Sequence, residues 1–188
     1  MSTQNNIREV LGKHPVIPVV TFNTLSEVEP MVERLLKQNI RCIEITLRTE
    51  VAFDSIQKTK EEFGKEISVG MGTIVNVSQI QKAVEIGIDF MVSPGISSTL
   101  FSDFEKSKIA FIPGVSTPSE IILALQQGYD TLKFFPAHLF GGLEALKTYG
   151  QVFPQVKFCP TGGISEATHQ EYLALSNIIS VGGSWMTK

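Results

Sequence analysis

The sequence is poor in cysteine, histidine and tryptophan, with two, three and one of them in 188 residues. Cys42 and Cys159 both sit inside apolar, strand-like runs. They read as buried free thiols of a protein kept in a reducing cytoplasm, and nothing requires a disulfide. His14, His138 and His169 lie far apart, and no His-Glu-x-x-His spacing occurs, so no metal is expected. A Gly-x-Ser-x-Gly elbow is also absent, which leaves serine hydrolase chemistry without support. The formal net charge is -3 and no lysine or arginine run stands out, so the basic face of a nucleic-acid binder is missing. No apolar stretch approaches the ~18 residues of a membrane span. Met1–Asn6 is polar and lacks the apolar core of a signal peptide, so export is not expected. Linkers, low-complexity segments and charge blocks are lacking too, and residues 1–188 read as a single domain.

What is present is an ordinary globular composition, 43% hydrophobic and 19% charged, arranged as a regular alternation. Strand-like runs occupy Val16–Val20, Arg41–Thr46, Ile67–Gly70, Asp89–Ser93, Ile109–Ile112, Thr131–Phe135, Val156–Cys159 and Ile178–Val181. Their starts lie 20 to 26 residues apart, about one strand-loop-helix-loop unit. Several are continuous Val/Ile/Phe runs, as parallel strands covered by helices should be. Between them, Ser26 with Glu29 has capping-box spacing before Val32, Leu35 and Leu36. Thr117 with Glu120, and Pro118 at a first-turn position, opens another helix. Gly64, Gly87 and Gly128 stand where helix-ending glycines belong. Eight alternating units predict a (β/α)8 barrel. An open doubly wound sheet is the competitor, but its nucleotide-binding form needs a Gly-rich turn after the first strand. The turn here is Thr21-Phe22-Asn23-Thr24.

Barrel active sites gather at the C-terminal ends of the strands. Lys133, in Thr131-Leu132-Lys133-Phe134-Phe135-Pro136, is a lysine within an apolar strand. Desolvation disfavours a charged amine there, and a neutral amine is the form that attacks a carbonyl. The plain alternative is a packed stem whose head reaches water. Glu44, Thr46 and Arg48 alternate with Ile43, Ile45 and Leu47, which puts the polar three on the lumen face. Glu44 then suits general acid/base work, and Arg48 suits bidentate holding of a carboxylate. A structural Glu44–Arg48 ion pair is the other reading. The last two strands end in Pro160-Thr161-Gly162-Gly163-Ile164-Ser165 and Gly182-Gly183-Ser184-Trp185. Glycine pairs allow close backbone approach, and loops at these two places recurrently bind phosphate in barrels. Trp185 reads as packing, His14 and His169 as surface or helix residues, and His138 as a loop residue near the mouth.

Seven ordered motifs then become recognisable. They are Glu44-Ile45-Thr46-Leu47-Arg48-Thr49, Gly70-Met71-Gly72-Thr73, Ser93-Pro94-Gly95, Pro113-Gly114-Val115-Ser116-Thr117, Lys133-Phe134-Phe135-Pro136-Ala137, Pro160-Thr161-Gly162-Gly163-Ile164 and Gly182-Gly183-Ser184-Trp185. From Val16 to Trp185 the chain resembles the 2-keto-3-deoxy-6-phosphogluconate (KDPG) aldolases, also called 4-hydroxy-2-oxoglutarate (KHG) aldolases. The resemblance implies a class I aldolase in which Lys133 forms a Schiff base and Glu44 moves protons. It implies that Arg48 and Thr73 hold the keto-acid carboxylate, with Pro94 and Phe135 shaping that end. Thr161, Gly162, Gly163, Gly183 and Ser184 would complete substrate binding, the glycine segments receiving phosphate. It further implies no cofactor, a small 2-keto acid and a phosphorylated aldehyde as partners, and a homotrimer.

Two features depart from the family's pattern. His138 stands where relatives commonly carry an acidic residue, which bears on loop structure or substrate preference. The chain also stops at Lys188, right after the last strand, where relatives continue into a closing helix. The exposed flank then calls for cover from the N-terminal helix around Ile7–Gly12 or from a neighbouring subunit. Three other functions stay open at this point: the same chemistry on the galactonate epimer, an acid/base phosphosugar isomerase without an imine, and a non-catalytic ligand-binding barrel.

Overall fold

In the computed structural model, residues 3–187 are described. Met1, Ser2 and Lys188, on which the expectations about the two chain ends partly rest, lie outside them. The strands are β1 (Val16–Val20), β2 (Cys42–Thr46), β3 (Ser68–Gly72), β4 (Phe90–Val92), β5 (Ala110–Ile112), β6 (Gly114–Val115), β7 (Thr131–Phe134), β8 (Lys157–Pro160) and β9 (Val181–Gly183). Helices alternate with them: α1 (Thr3–Gly12), α2 (Val28–Lys37), α3 (Ala52–Phe63), α4 (Val77–Ile86), α5 (Phe101–Ser107), α6 (Pro118–Gln126), α7 (Gly142–Val152) and α8 (His169–Leu173). All strand pairs are parallel. A curled six-stranded sheet runs β5-β4-β3-β2-β1-β9, and a three-stranded sheet runs β6-β7-β8. Single parallel bridges, Phe158 with Ile178 and Thr161 with Gly182, connect β8 to the chain at β9. Among the described residues no helix is long and apolar enough to cross a membrane.

Two strands differ from expectation for local reasons. The fifth run, Ile109–Ile112, is followed after Pro113, which has no N–H to give to a ladder, by a further short strand that was not expected. Below the proline β5 pairs with β4; above it β6 pairs with β7, and the Pro113 carbonyl accepts from Lys133 N at 2.9 Å. The last run was placed too early. Ile178 makes one bridge only, whereas Gly182 and Gly183, expected in a loop, pair with Ile17 and Pro18 of β1.

Capping also differs in part. The Thr117–Glu120 box forms, with Glu120 Oε2 accepting from Thr117 N at 2.8 Å and Thr117 Oγ1 accepting from Glu120 N. Ser26 does not cap α2. It lies in a 3-10 turn, its hydroxyl 2.9 Å from Thr24 Oγ1, and Glu27 rather than Glu29 reaches back to Asn23 N. The chain turns left-handed at Gly87, directly after α4, and at Gly128, two residues past α6, while Gly64 after α3 stays right-handed.

The sheet buries both faces. On the outer side Ile43, Ile45, Val69, Met71, Leu132 and Phe158 pack against Val32, Leu35, Ile56, Ile80, Ile121 and Leu146 of the helices. A second cluster joins Ile17, Cys42, Phe90, Val92, Ala110, Ile112 and Cys159 to Ile7 and Leu11 of α1. Ile17 alternates with Val16 and Cys42 with Ile43, so this cluster fills the inner face. Helix α1 is pinned there by Arg8. Its guanidinium bonds Thr131 Oγ1 at 2.8 Å and Gln155 O at 3.1 Å, and pairs with Asp130 Oδ2 at 3.0 Å.

These partners precede or begin their strands, so α1 closes the N-terminal end of the sheet. It does not cover the flank beside β9, which leaves a neighbouring subunit as the other expected cover. That flank carries a 3-10 turn, Trp185–Thr187, with the Trp185 ring 5.3 Å from His169. A groove of about 500 Å³ remains there, bordered by Val16, Ile40, His169, Trp185 and Met186.

Candidate active site

The inner face changes character toward the C-terminal strand ends. Glu44 is the central residue of β2, in register with Val19 of β1 and Gly70 of β3. Lys133 of β7 reaches across to it, Nζ donating to Glu44 Oε1 at 2.9 Å and to Oε2 at 3.1 Å. Both residues are only 5% exposed. The Phe135 ring centroid lies 5.4 Å from Nζ. The carboxylate is therefore committed to Lys133, and the alternative of a Glu44–Arg48 ion pair is not what forms. A lysine and a carboxylate this buried each need the other, since an unpaired charge in such a place is strongly destabilising.

Room for the pair comes from glycine. A Cβ at Gly72 would stand 2.3 Å from Glu44 Oε1, so any larger residue would displace the carboxylate. Gly70, two residues earlier on the same face, would put its Cβ 2.2 Å from the Phe90 ring. Gly-Met-Gly was legible as a motif, but the reason for each glycine was not. Glycine inside a strand was the available signal of a close approach.

Beyond the pair lies a cavity of about 370 Å³. Arg48, Phe135, Thr161, Gly162, Gly163, Gly183 and Ser184, all singled out from sequence, line it together. Phe135 and Thr161 stand two residues beyond Lys133 and its register partner Cys159, so the Lys133–Glu44 pair sits one inward position below the cavity walls. Thr73 and Pro94 do not line this cavity. Thr73 leaves β3 with φ +68, and Pro94 borders a separate space of about 100 Å³ with Ile74, Gly95 and Pro113. Four lining residues had not been singled out: Val19, Thr21, Ile164 and Thr187. Val19 and Thr21 could have been found, because they alternate with Ile17 on the inner face of β1.

Several groups in the cavity are free to act on a ligand. Arg48 is exposed, and no carboxylate among the described residues pairs with it. Thr161 Oγ1 is buried with no hydrogen-bond partner among the described residues. A Cβ at Gly182 would come within 2.4 Å of that oxygen. Gly162 and Gly163 take φ +96 and +74, a conformation that L side chains rarely adopt, so the turn after β8 requires glycine. Successive N–H groups in such a turn suit an anion.

His138 holds this turn from outside the cavity. Its N–H donates to Gly162 O at 3.2 Å, and its side chain lies where a Gly163 Cβ would go. The thiols are spectators: burial pushes Cys159 up to about 11, and burial raises Cys42 as well. Among the described residues no three His, Cys, Asp or Glu side chains are grouped as metal ligands.

This arrangement matches known proteins along nearly the whole chain. The family model "Aldolase: KDPG and KHG aldolase" matches residues 7–188. The KHG/KDPG aldolase of Escherichia coli K12 is 40% identical over 97% of this chain and 85% of that protein. The 2-dehydro-3-deoxy-phosphogluconate aldolase of Zymomonas mobilis is 40% identical over 96% of this chain and 86% of its own. Among solved structures, KDPG aldolase from Legionella pneumophila, with pyruvate captured as a covalent carbinolamine intermediate, superposes with a TM-score of 0.91. It is 42% identical and covers 95% of this chain and 86% of its own. The Zymomonas mobilis enzyme with 3-phosphoglycerate gives a TM-score of 0.92 at 40% identity, over 97% and 86% of the two chains. With this extent of similarity, the chain belongs to the KDPG and KHG aldolase family.

Proposed function

We propose that the chain is a class I aldolase that cleaves 2-dehydro-3-deoxy-6-phosphogluconate to pyruvate and glyceraldehyde 3-phosphate, and also accepts 4-hydroxy-2-oxoglutarate. The observation that carries this reading is the buried Lys133–Glu44 pair at the foot of an open cavity. A proton moving over 2.9 Å from Nζ to Glu44 leaves a neutral amine, which adds to the C2 carbonyl. Glu44, now protonated, gives its proton to the carbinolamine oxygen, and water leaves to form the iminium. The regenerated carboxylate takes the C4 hydroxyl proton as C3–C4 breaks, and the bonding electrons pass into the iminium to give an enamine. Protonation at C3 and hydrolysis of the imine release pyruvate and return Lys133. No cofactor is needed, because the iminium is the electron sink.

The remaining residues take binding roles in this reading. Arg48 holds the keto-acid carboxylate and Phe135 bounds that end, while Thr73 and Pro94, which do not line the cavity, would take part only from the neighbouring strand ends. Thr161 offers its unpartnered hydroxyl to the substrate, and the Gly162-Gly163 and Gly183-Ser184 segments receive phosphate. We also propose that the two sheets close into a (β/α)8 barrel, a reading supported by the bridges at Phe158 and Thr161. Residues 1–188 then act as one catalytic domain, cytoplasmic and homotrimeric. The exposed side chains of Ile122, Leu139 and Phe140 support association between subunits.

Borohydride reduction with pyruvate, followed by mass spectrometry, tests the chemistry. A pyruvyl adduct on Lys133, absent from Lys133→Ala, is the expected result. A folded wild-type protein that gives no adduct overturns the aldolase reading.

A further inference from the structure

The cavity wall contributed by β1 carries a hydroxyl to which the reaction above assigns no part. Thr21 follows β1 immediately and shares its inner face with Ile17 and Val19. Its Oγ1 lies 2.7 Å from Thr46 Oγ1. Thr46 is fully buried, two residues beyond Glu44 on β2, and among the described residues its hydroxyl bonds only Thr21. Thr21 is exposed to the cavity.

Proton counting gives this pair a direction. If Thr21 donated to Thr46, the Thr46 proton would be left in a buried site with no acceptor, which is costly. Thr46 therefore donates and Thr21 accepts, so the Thr21 proton is free to point into the cavity. The donor is held in place before any ligand arrives, because the buried threonine fixes the oxygen that carries it.

Register fixes what this proton can meet. Gly183 pairs with Pro18 on one side of β1, and Val19 and Val20 pair with Glu44 and Ile45 on the other. Thr21 thus lies between the Gly183-Ser184 segment and Arg48, one inward position above the level of Glu44. In the proposed reaction the three carbons of pyruvate are held at Lys133, and the aldehyde half extends toward the glycine segments. A donor on that route faces the aldehyde half past the bond that breaks.

We infer that Thr21 is a specificity-determining residue whose hydroxyl donates to an oxygen of the hydroxylated, phosphorylated aldehyde half of the substrate. The assignment rests on the aldolase reading above. Glyoxylate, the aldehyde half of 4-hydroxy-2-oxoglutarate, has no such hydroxylated tail, so the contact separates the two substrates.

The test compares wild type, Thr21→Val and Thr21→Ser by kcat/KM on 2-dehydro-3-deoxy-6-phosphogluconate and on 4-hydroxy-2-oxoglutarate. Valine keeps the branched shape and removes the hydroxyl. The preference for the phosphorylated substrate should fall about tenfold in Thr21→Val, the size of one lost hydrogen bond, and return in Thr21→Ser. An unchanged preference, or a fall that serine does not restore, overturns the inference. Thermal unfolding checks that each variant is folded, and Thr21→Ala, with the same expected fall, replaces a valine variant that is not. Pyruvate trapping on the wild type separates the two failures. An adduct without a shift in preference removes only the role of Thr21, whereas no adduct removes the aldolase reading beneath it.

Discussion

Ile17 and Cys42 face the same side of the sheet as Val19 and Glu44, two residues further along each strand. Two residues is about 6.6 Å of strand. Over that distance β2 passes from a thiol packed among apolar groups to a carboxylate in an ion pair, and β1 reaches the cavity wall. The lower level is closed from below by Ile7 and Leu11 of α1, both essentially unexposed. The upper level opens into a cavity of about 370 Å³. The difference shows how one curled sheet supports both stability and chemistry. A dry floor keeps water away from the buried pair and strengthens its electrostatics, while the open side admits a ligand.

The largest effect expected from this division is on the upper level. Glu44→Gln keeps the shape and removes the charge, and kcat on 2-dehydro-3-deoxy-6-phosphogluconate should fall by about 10²–10⁴, the usual worth of a positioned acid/base. A fall of less than about tenfold would remove Glu44 from proton transfer. The counterpart below is Leu11→Ala. It should cost about 2–5 kcal/mol of stability, read by denaturant unfolding, with kcat little changed at temperatures where the variant is folded. Loss of activity without loss of stability would mean that α1 is more than a floor.

Gly70 and Gly72 test the boundary most directly, being two residues apart on one strand. In Gly72→Ala the new methyl meets the Glu44 carboxylate, and displacement by about 1 Å should lower kcat roughly 10²-fold. In Gly70→Ala the methyl meets the Phe90 ring, and overpacking should cost about 1–3 kcal/mol while leaving the chemistry. Equal kinetic defects in the two variants would show that the levels are not independent.

Much of this was legible in the sequence. Continuous apolar runs at even spacing located the parallel strands to within a few residues, because burial on both faces leaves so plain a pattern. Lys133 stood out because charge inside such a run is costly, and Glu44 because it alternates with apolar residues on the inner face. Other features depend on contacts between distant segments. The helix around Ile7–Gly12 was identified, but its place at the N-terminal end depends on Arg8 meeting Thr131, Asp130 and Gln155. The break at Pro113 follows from its missing N–H and could have been read. The pairing of Gly182 and Gly183 with β1 could not, since a glycine pair carries no strand signal of its own. The Asn76–Gln79 capping box of α4 lay within Asn76-Val77-Ser78-Gln79 and was passed over.

The smallest effect expected is at Cys159, the register partner of Lys133. The two potential nucleophiles stand side by side on neighbouring strands, and only the amine has a charged partner and a cavity. Burial pushes the Cys159 thiol up to about 11, although Ser180 Oγ donates to its sulfur at 3.2 Å. Its thiolate fraction at pH 8 is then on the order of 10⁻³, and iodoacetamide should leave it unmodified in the folded protein while labelling the unfolded chain. The sign for stability follows from the same shift. An unfolded thiol ionises near about 8.5, so the unfolded state loses its proton first and the folded state holds it longer. The stability from the neutral buried thiol is full below that pH and is lost as pH rises toward 11. The Tm of the wild type should therefore fall more steeply between pH 9 and 11 than that of Cys159→Ala. Parallel Tm curves, or rapid labelling of the folded protein at pH 8, would place Cys159 on the open side of the boundary together with Lys133.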